Sequence, residues 1–194
     1  MTLIRSKLFG VVLAALALAG CSSADFYLMP PPQAPAARLN APVSTISIAE
    51  MNLPSYADAI EMARLTGNGV LQLDDSANWA DTPRRALSRH LAAALEARLT
   101  ARVTTEPWPG FDSPGLRIEV TVDRLVGGPE TAVEFTGQYI IIVPESGRIY
   151  LSDRFAIVSN IVTPGYAGLA DAHGRAMDQL ADRIATRIAA GPSS

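Results

Sequence analysis

The residue with the most definite chemistry in this sequence is its single cysteine, Cys21, which directly follows the small residues Ala19 and Gly20. A thiol in this setting can accept a diacylglyceryl group through a thioether bond before a peptidase cuts on its amino side. We therefore predict cleavage between Gly20 and Cys21 and a lipid on the new amino terminus. The alternative is a plain secreted protein with an incidental free thiol, since no second cysteine is present to form a disulfide.

The residues ahead of Cys21 have the organisation of a signal peptide, with Arg5 and Lys7 before an apolar run over residues 8–19. As a helix this run would reach about 18 Å, whereas the hydrocarbon core of a bilayer is about 30 Å thick, so it cannot serve as a stable span. Together with Leu18-Ala19-Gly20-Cys21 the segment resembles a bacterial lipobox. Two or three acyl chains on Cys21 would exceed the single chain that gives only marginal membrane binding. Ser22 after the cysteine resembles lipoproteins of the outer membrane, with the inner membrane as the less favoured alternative.

The other reactive side chains form no recognisable catalytic constellation. The two histidines, His90 and His173, lack the spacing of a zinc-binding helix, and His173 is predicted to pack on the apolar face of its helix. No serine lies in a Gly-x-Ser-x-Gly turn, and no glycine-rich phosphate loop with its lysine occurs. The pair Asp74-Asp75 is interpreted as a solvated turn. We predict no catalytic residue, no metal, no cofactor and no enzyme activity.

Charge and length restrict the class of protein. The whole chain has a net charge of -3, so it lacks the basic footprint of a nucleic-acid-binding protein. Without residues 1–20 the chain suits a single domain, which at this size buries roughly 70% of its unfolded surface. With Cys21 lipidated no thiol remains, so disulfide and thiolate chemistry are excluded.

Aromatic residues beside proline-containing turns are candidates for contacts with another protein. Trp79, Trp108, Tyr56 and Tyr166 form this candidate partner surface, because Trp and Tyr dominate interface energetics. For Trp79 the alternative is packing on the following helix as part of the core. For Trp108, in a Pro-Gly loop, the two interpretations are equally favoured.

The segment after the cysteine is rich in proline over residues 22–42 and would span at most about 65 Å as polyproline-like backbone. It contains Phe26-Tyr27-Leu28, which is too apolar for a pure spacer. This tripeptide is predicted either to form an edge strand of the folded body or to rest its aromatic rings at the lipid interface. Alternation of apolar and polar residues over 43–48 predicts the first regular strand.

The middle of the chain is predicted to fold as short elements followed by a long helix. Ser55 can cap a short helix that reaches about Met62, and residues 67–69 form a turn. Residues 70–73 are a short strand that ends at Asp74-Asp75-Ser76. Pro83 suits the first position of a helix whose stripe is Leu87, Leu91, Ala94, Leu95 and Leu99. The opposite side is interpreted as a solvated charged face: Arg84, Arg85, Arg89, Glu96 and Arg98.

The second half of the chain predicts three antiparallel strands and a closing helix. Residues 116–123, 133–143 and 149–157 alternate in polarity and are joined by turns at residues 127–129 and 145–147. Residues 169–190 carry a continuous apolar stripe that ends at Gly191-Pro192. The expected fold is α+β: a single-domain layered sandwich in which two long amphipathic helices cover a mixed, mostly antiparallel sheet. The expected boundaries are a signal peptide at 1–20, an N-terminal segment at 21–42, a domain at 43–190 and a tail at 191–194.

These features in this order resemble a known family, the auxiliary lipoproteins of bacterial ABC-type transport systems that carry mammalian-cell-entry domains, including the paraquat-inducible lipoprotein C group. The resemblance covers essentially the whole chain. It rests on the lipobox with Phe26-Tyr27-Leu28 shortly after, on Leu53-Pro54-Ser55-Tyr56-Ala57-Asp58, on Trp79-Ala80-Asp81 ahead of a helix, and on the closing helix from Ala176 onward.

The resemblance implies a lipoprotein that faces the periplasm and works with an inner-membrane permease and a mammalian-cell-entry tunnel protein in moving lipids between membranes. The expected role is a non-enzymatic accessory subunit that docks the tunnel protein at the outer membrane through acylated Cys21 and so supports envelope integrity. A carrier that binds lipid directly is the alternative, and a periplasmic hydrolase is a distant third. The oligomeric state stays open, a homo-oligomer included.

Overall fold

The computed structural model describes residues 24–192, so Leu18, Ala19, Gly20 and Cys21 lie outside the described residues. The described chain forms strands and two long helices, with one short 3-10 turn at Ser55–Ala57. The strands are β1 (Asp25–Tyr27), β2 (Thr45–Ile48), β3 (Glu61–Leu65), β4 (Leu71–Trp79), β5 (Arg102–Thr105), β6 (Leu116–Gly128), β7 (Thr131–Val143) and β8 (Arg148–Ser159). The helices are α1 (Pro83–Arg98) and α2 (Tyr166–Ala190).

The large sheet has five strands in the order β5-β2-β6-β7-β8. β2 lies between β5 and β6 and runs parallel to both, with Ile46 opposite Val103 on one side and Leu116 on the other. The strands β6, β7 and β8 form the predicted antiparallel meander. Because side chains alternate between the two faces of a strand, Ile118 and Val120 point into the core while Arg117 and Glu119 lie on the outer face.

The small sheet has three strands in the order β1-β4-β3. β1 runs parallel to β4, with Asp25 opposite Ala77 and Tyr27 opposite Trp79. The Tyr27 carbonyl also accepts a hydrogen bond of 2.9 Å from the Ala80 amide. The structure therefore confirms the prediction that this segment forms an edge strand of the folded body.

Two helices lie side by side on one face of the large sheet. α1 contacts β2 and β5, α2 contacts β7 and β8, and the helices contact each other. α1 begins at Pro83, as predicted, because proline has no amide hydrogen to lose at a first helical position. The helices and the inner sheet face enclose the core, whose largest fully buried side chains are Tyr139, Phe135, Ile46, Ile48, Met51, Met62, Leu91, Leu95, Leu99, Leu116, Ile118 and Ile141. The predicted α+β class, a layered sheet with two amphipathic helices, is confirmed.

Two predicted boundaries in the middle of the chain are wrong. The helix expected from Ser55 to about Met62 is only the 3-10 turn, and β3 begins at Glu61, because Met62 is fully buried as a strand residue of the small sheet. The strand expected to end at Asp74 continues to Trp79. Its polar residues lie at an irregularity where the pairing moves from Met62 opposite Asp74 to Glu61 opposite Asn78.

Residues 28–42, which we call the strap, run from β1 along the groove between the two helices. Pro30 lies against α2 at Gly174, where an added Cβ would be only 2.9 Å from the proline ring. Farther along, the Gln33 amide donates to Asp178 at 3.2 Å, and the Leu39 amide donates to the Arg98 carbonyl at 2.7 Å. The proline-rich segment therefore contacts both helices at Pro30, Gln33 and Leu39 and is otherwise largely exposed.

Candidate functional site

Tyr56 and Trp79, two residues of the candidate partner surface, line one apolar pocket where the strap, the small sheet and the start of α1 meet. The other lining residues are Met29, Ala57, Ala63, Pro83, Ala86, Leu87, Leu125 and His173. The pocket encloses a cavity of about 30 Å³. A single buried water needs about 10–15 Å³, so the cavity is small.

His173 is the buried polar group of this pocket. Its Nδ1 lies 2.8 Å from the Leu169 carbonyl oxygen, one helical turn earlier, and its ring packs edge-on against Trp79 at a centroid distance of 5.1 Å. Because a carbonyl can only accept, Nδ1 carries the hydrogen and Nε2 of the neutral ring keeps its lone pair. Burial lowers the pKa of His173 to about 4, so the ring is neutral near pH 7. The predicted packed histidine on the apolar face of the helix is confirmed.

Tyr166 lies at the start of α2, where it links that helix to the small sheet. Its hydroxyl donates to Asp74, and its ring is 5.9 Å from the ring of Tyr27 in β1. Burial, followed by the hydrogen bond to Asp74, raises the pKa of Tyr166 to about 12. The hydrogen bond from Ser76, with a further one from Tyr166, lowers the pKa of Asp74. The Asp74 side chain therefore connects two elements.

Trp108 lies away from the other three aromatic residues, in the loop of residues 106–115 between β5 and β6, which we call the Trp108 loop. Its indole Nε1 donates to the Asp112 carbonyl at 2.7 Å, which closes the loop around a half-buried ring. Phe111, inside the same loop, is fully exposed. The structure thus brings Tyr56 and Trp79 together, places Tyr166 beside β1, and separates Trp108 from all of them.

A charge cluster around the buried Arg98, with one largely buried and one exposed carboxylate, holds the strap against both helices. Arg98, whose side chain is 6% exposed, donates to Asp182 at 2.6 Å, lies 3.4 Å from Asp178 and also donates to the Gln33 carbonyl at 3.0 Å. His90 faces the same Asp178 carboxylate at 3.6 Å, and burial lowers the pKa of His90, an effect that Asp178 opposes. The prediction that Arg98 belongs to a solvated face is wrong, because the strap and α2 cover its guanidinium group.

The small sheet and the Trp108 loop lie at opposite ends of α2. Tyr27 of β1 contacts Tyr166 at the first residue of this helix. The Trp108 loop borders the β7–β8 turn at Val143 and Glu145, and the hydroxyl of Tyr150 after that turn donates to the Ile188 carbonyl near the last residue of the helix. A helix of 25 residues is about 36 Å long at about 1.5 Å per residue. The segment next to Cys21 and the exposed Phe111 are therefore widely separated.

Within residues 24–192, no group of three or more His, Cys, Asp or Glu side chains is arranged to hold a metal ion. Neither long helix of that range combines the length and the apolar character that crossing a bilayer requires. His90 and Arg98 are the site residues that sequence reasoning did not identify. The available signal was the pair Asp178 and Asp182, four residues apart on the closing helix, which places two carboxylates on one side of α2.

Solved structures with similar folds show low sequence identity to this chain. A crystal structure of a protein without an assigned function matches with a TM-score of 0.69 and 18% identity, covering 84% of this chain and 97% of that one. The protein XCC0632 from Xanthomonas campestris, of the family DUF330, matches with a TM-score of 0.67 and 16% identity over 86% of this chain and 97% of that one. At these identities the likeness concerns the fold alone. No curated protein sequence gives a significant match.

A family model gives the assignment that the structures alone do not. The model described as "ABC-type transport auxiliary lipoprotein component" matches residues 26–185, from the middle of β1 into the last turns of α2. The match includes the strap, both sheets and both helices. The chain therefore belongs to the family of auxiliary lipoprotein components of ABC-type transport systems.

Proposed function

We propose that this protein is a lipid-anchored accessory subunit that holds the tunnel protein of a mammalian-cell-entry lipid transport system at the outer membrane. Acylated Cys21 attaches the body to the periplasmic leaflet, and a protein surface on the body binds the end of the tunnel protein, which an inner-membrane permease complex supplies with lipid. The action is positional. Tethering one partner to the membrane raises the effective concentration at which the other meets it.

The short connection between Cys21 and the folded body supports this proposal. β1 begins at Asp25, so only Ser22, Ser23 and Ala24 separate the lipid-bearing residue from the first strand. At full extension the step from Cys21 to Asp25 spans at most about 14 Å. Because β1 is paired with β4 and the strap is packed on the helices, a lipid on Cys21 would hold the body against its membrane.

The surface that we propose for the tunnel protein is the Trp108 loop. Phe111 is fully exposed and Trp108 is half-buried beside it, at the end of α2 that is remote from β1. Exposed aromatic side chains on a closed loop are suitable anchors for a partner, since such residues supply most of the energy of protein interfaces. The other three residues of the candidate partner surface, Trp79, Tyr56 and Tyr166, are partly buried against the core. We do not include them in the proposed surface, and their contact with a partner remains a prediction.

Co-purification of the lipidated protein with its tunnel protein tests the proposal. We expect Phe111→Ser and Trp108→Ala each to reduce the recovered complex strongly. Val158→Ser is the matched control, because Val158 is also exposed, at 63%, but lies on β8. Loss of the complex in the control as well, or an unchanged complex in both loop variants, would contradict the assignment of this loop. Failure of the correctly folded wild-type proteins to associate would contradict the proposed function itself.

The pocket at Trp79 does not favour the alternative of a lipid carrier. A carrier needs a deep apolar cavity that holds a lipid chain, whereas the cavity of this pocket measures only about 30 Å³. Its described lining residues include a histidine and a tyrosine but no serine, cysteine or carboxylate, so we do not extend the proposal to hydrolysis.

A further inference from the structure

Exposed apolar side chains concentrate in and around the small sheet. Among the described residues, ten large hydrophobic side chains are exposed, and five of them belong to this sheet or to the residues next to its strands. They are Phe26 (67% exposed), Leu28 (73%), Ile60 (42%), Val70 (50%) and Leu73 (49%). Single exposed apolar residues are ordinary on a protein surface, but a concentration in one small element marks an interaction site.

The position of this apolar group relative to Cys21 identifies what covers it. Phe26 is five residues after Cys21, so the lipid-bearing residue lies within about 18 Å of it at full extension. β1 is fixed to β4 by its pairing, and therefore the small sheet cannot move away from the lipid independently of the body. From this geometry we infer that the exposed surface of the small sheet rests on the lipid surface, with Phe26 and Leu28 in the interfacial layer. The inference rests on the acylation of Cys21 in the proposed function.

The charges of this surface indicate which lipids it meets. Asp25 and Asp75 are exposed beside the apolar group, and Arg64 of the same sheet lies 3.9 Å from Asp74. These carboxylates are not attracted to anionic lipid headgroups, whereas the burial of apolar side chains in the interface does not depend on the headgroup charge. The surface therefore fits zwitterionic lipid.

Spin labels on the lipidated full chain in phosphatidylethanolamine–phosphatidylcholine vesicles test the inference. Acylated Cys21 has no free thiol, so Leu28→Cys and Leu73→Cys each provide one labelling site. Ile149→Cys is the control, because Ile149 is 59% exposed but lies next to the β7–β8 turn. We expect the labels at 28 and 73 to collide with a water-soluble nickel complex at least about threefold less often than the label at 149, because the interface excludes the complex.

Two readouts in the same sample separate the possible failures. Mass spectrometry of the amino terminus reports whether Cys21 is acylated, and a chain without the acyl group would contradict the proposed function. The labels report the contact with lipid. Equal nickel accessibility at 28, 73 and 149 in vesicle-bound protein would overturn the inference and leave the proposed anchor intact.

Discussion

Acid is expected to destabilise the fold through His173, because the unfolded chain binds a proton on this histidine at a higher pH than the folded protein does. Burial holds the pKa of His173 at about 4, against 6.5 for the free side chain. Above pH 6.5 both states are neutral and the full stability is present. As the pH falls from 6.5 to about 4, the unfolded chain binds the proton first, so the free energy of unfolding falls. Below about 4 the loss levels off.

The size of this loss follows from the difference between the two pKa values. Each pKa unit corresponds to about 1.4 kcal/mol. The lowered pKa of His173 therefore reduces the free energy of unfolding by about 3 kcal/mol between pH 6.5 and pH 4. Small domains have a total stability of about 5–15 kcal/mol, and the effect is therefore large enough to measure. His90 acts in the same sense, since burial lowers its pKa as well, so the measurement has to isolate His173 by difference.

The variant for this measurement is His173→Gln. Glutamine does not titrate in this range, and its side-chain amide can donate to the Leu169 carbonyl in place of Nδ1. Urea unfolding of both proteins at about pH 7 and about pH 4.5 gives the four free energies that are needed. We expect the wild type to lose about 2.5 kcal/mol more than the variant over this interval. An equal loss in the two proteins would refute the assignment of a buried, neutral His173.

Two further predictions concern packing. Arg98→Met removes the cation beside the largely buried Asp178 carboxylate, so we expect a loss of about 3 kcal/mol in the free energy of unfolding by urea. Arg85→Met is the control, and we expect a clearly smaller loss there because the Arg85 side chain is 55% exposed. Comparable losses in the two variants would contradict the burial of the cluster. Gly168→Ala places a Cβ onto the Thr163 carbonyl oxygen, so we expect it to lower the free energy of unfolding by about 3 kcal/mol, measured by thermal unfolding. Gly67→Ala is the control, because its Cβ meets no atom within 4 Å, and we expect its stability to stay within about 0.5 kcal/mol of the wild type. A stable Gly168→Ala protein would show that the start of α2 can shift.

The meander of the large sheet and both helices could be predicted from the sequence because their hydrophobic period is long and regular, whereas the four-residue strand β5 was not predicted. β6 to β8 are twelve or thirteen residues long and alternate in polarity over most of that length, and α1 is marked at its start by Pro83. The small sheet could not be predicted in the same way. β3 has only five residues, and the polar residues Asp74-Asp75-Ser76 interrupt the pattern of β4 because they lie at an irregularity in the pairing.

The positions of the site residues could be predicted only where a local sequence pattern determines them. The apolar stripe of the closing helix placed His173 in the core. The burial of Arg98 depends on the strap, which is more than 60 residues earlier in the chain, and no local pattern on α1 reports that contact. The shared pocket of Tyr56 and Trp79 likewise depends on how the small sheet packs against α1. Side chains that meet through distant segments require the tertiary structure.

The central place of β2 in the large sheet has a consequence for the order of folding. β2 is complete at Ile48, but its neighbours are β5, which ends at Thr105, and β6, in which Ile118 is the partner of Ile48. In a chain that emerges with its amino terminus first, β2 therefore lacks at least one of its two neighbours until about seventy residues more have followed. Pairings at such separations form slowly and leave strand edges open to other chains. The edges of β2 are thus covered only once β5 and β6 have both been made.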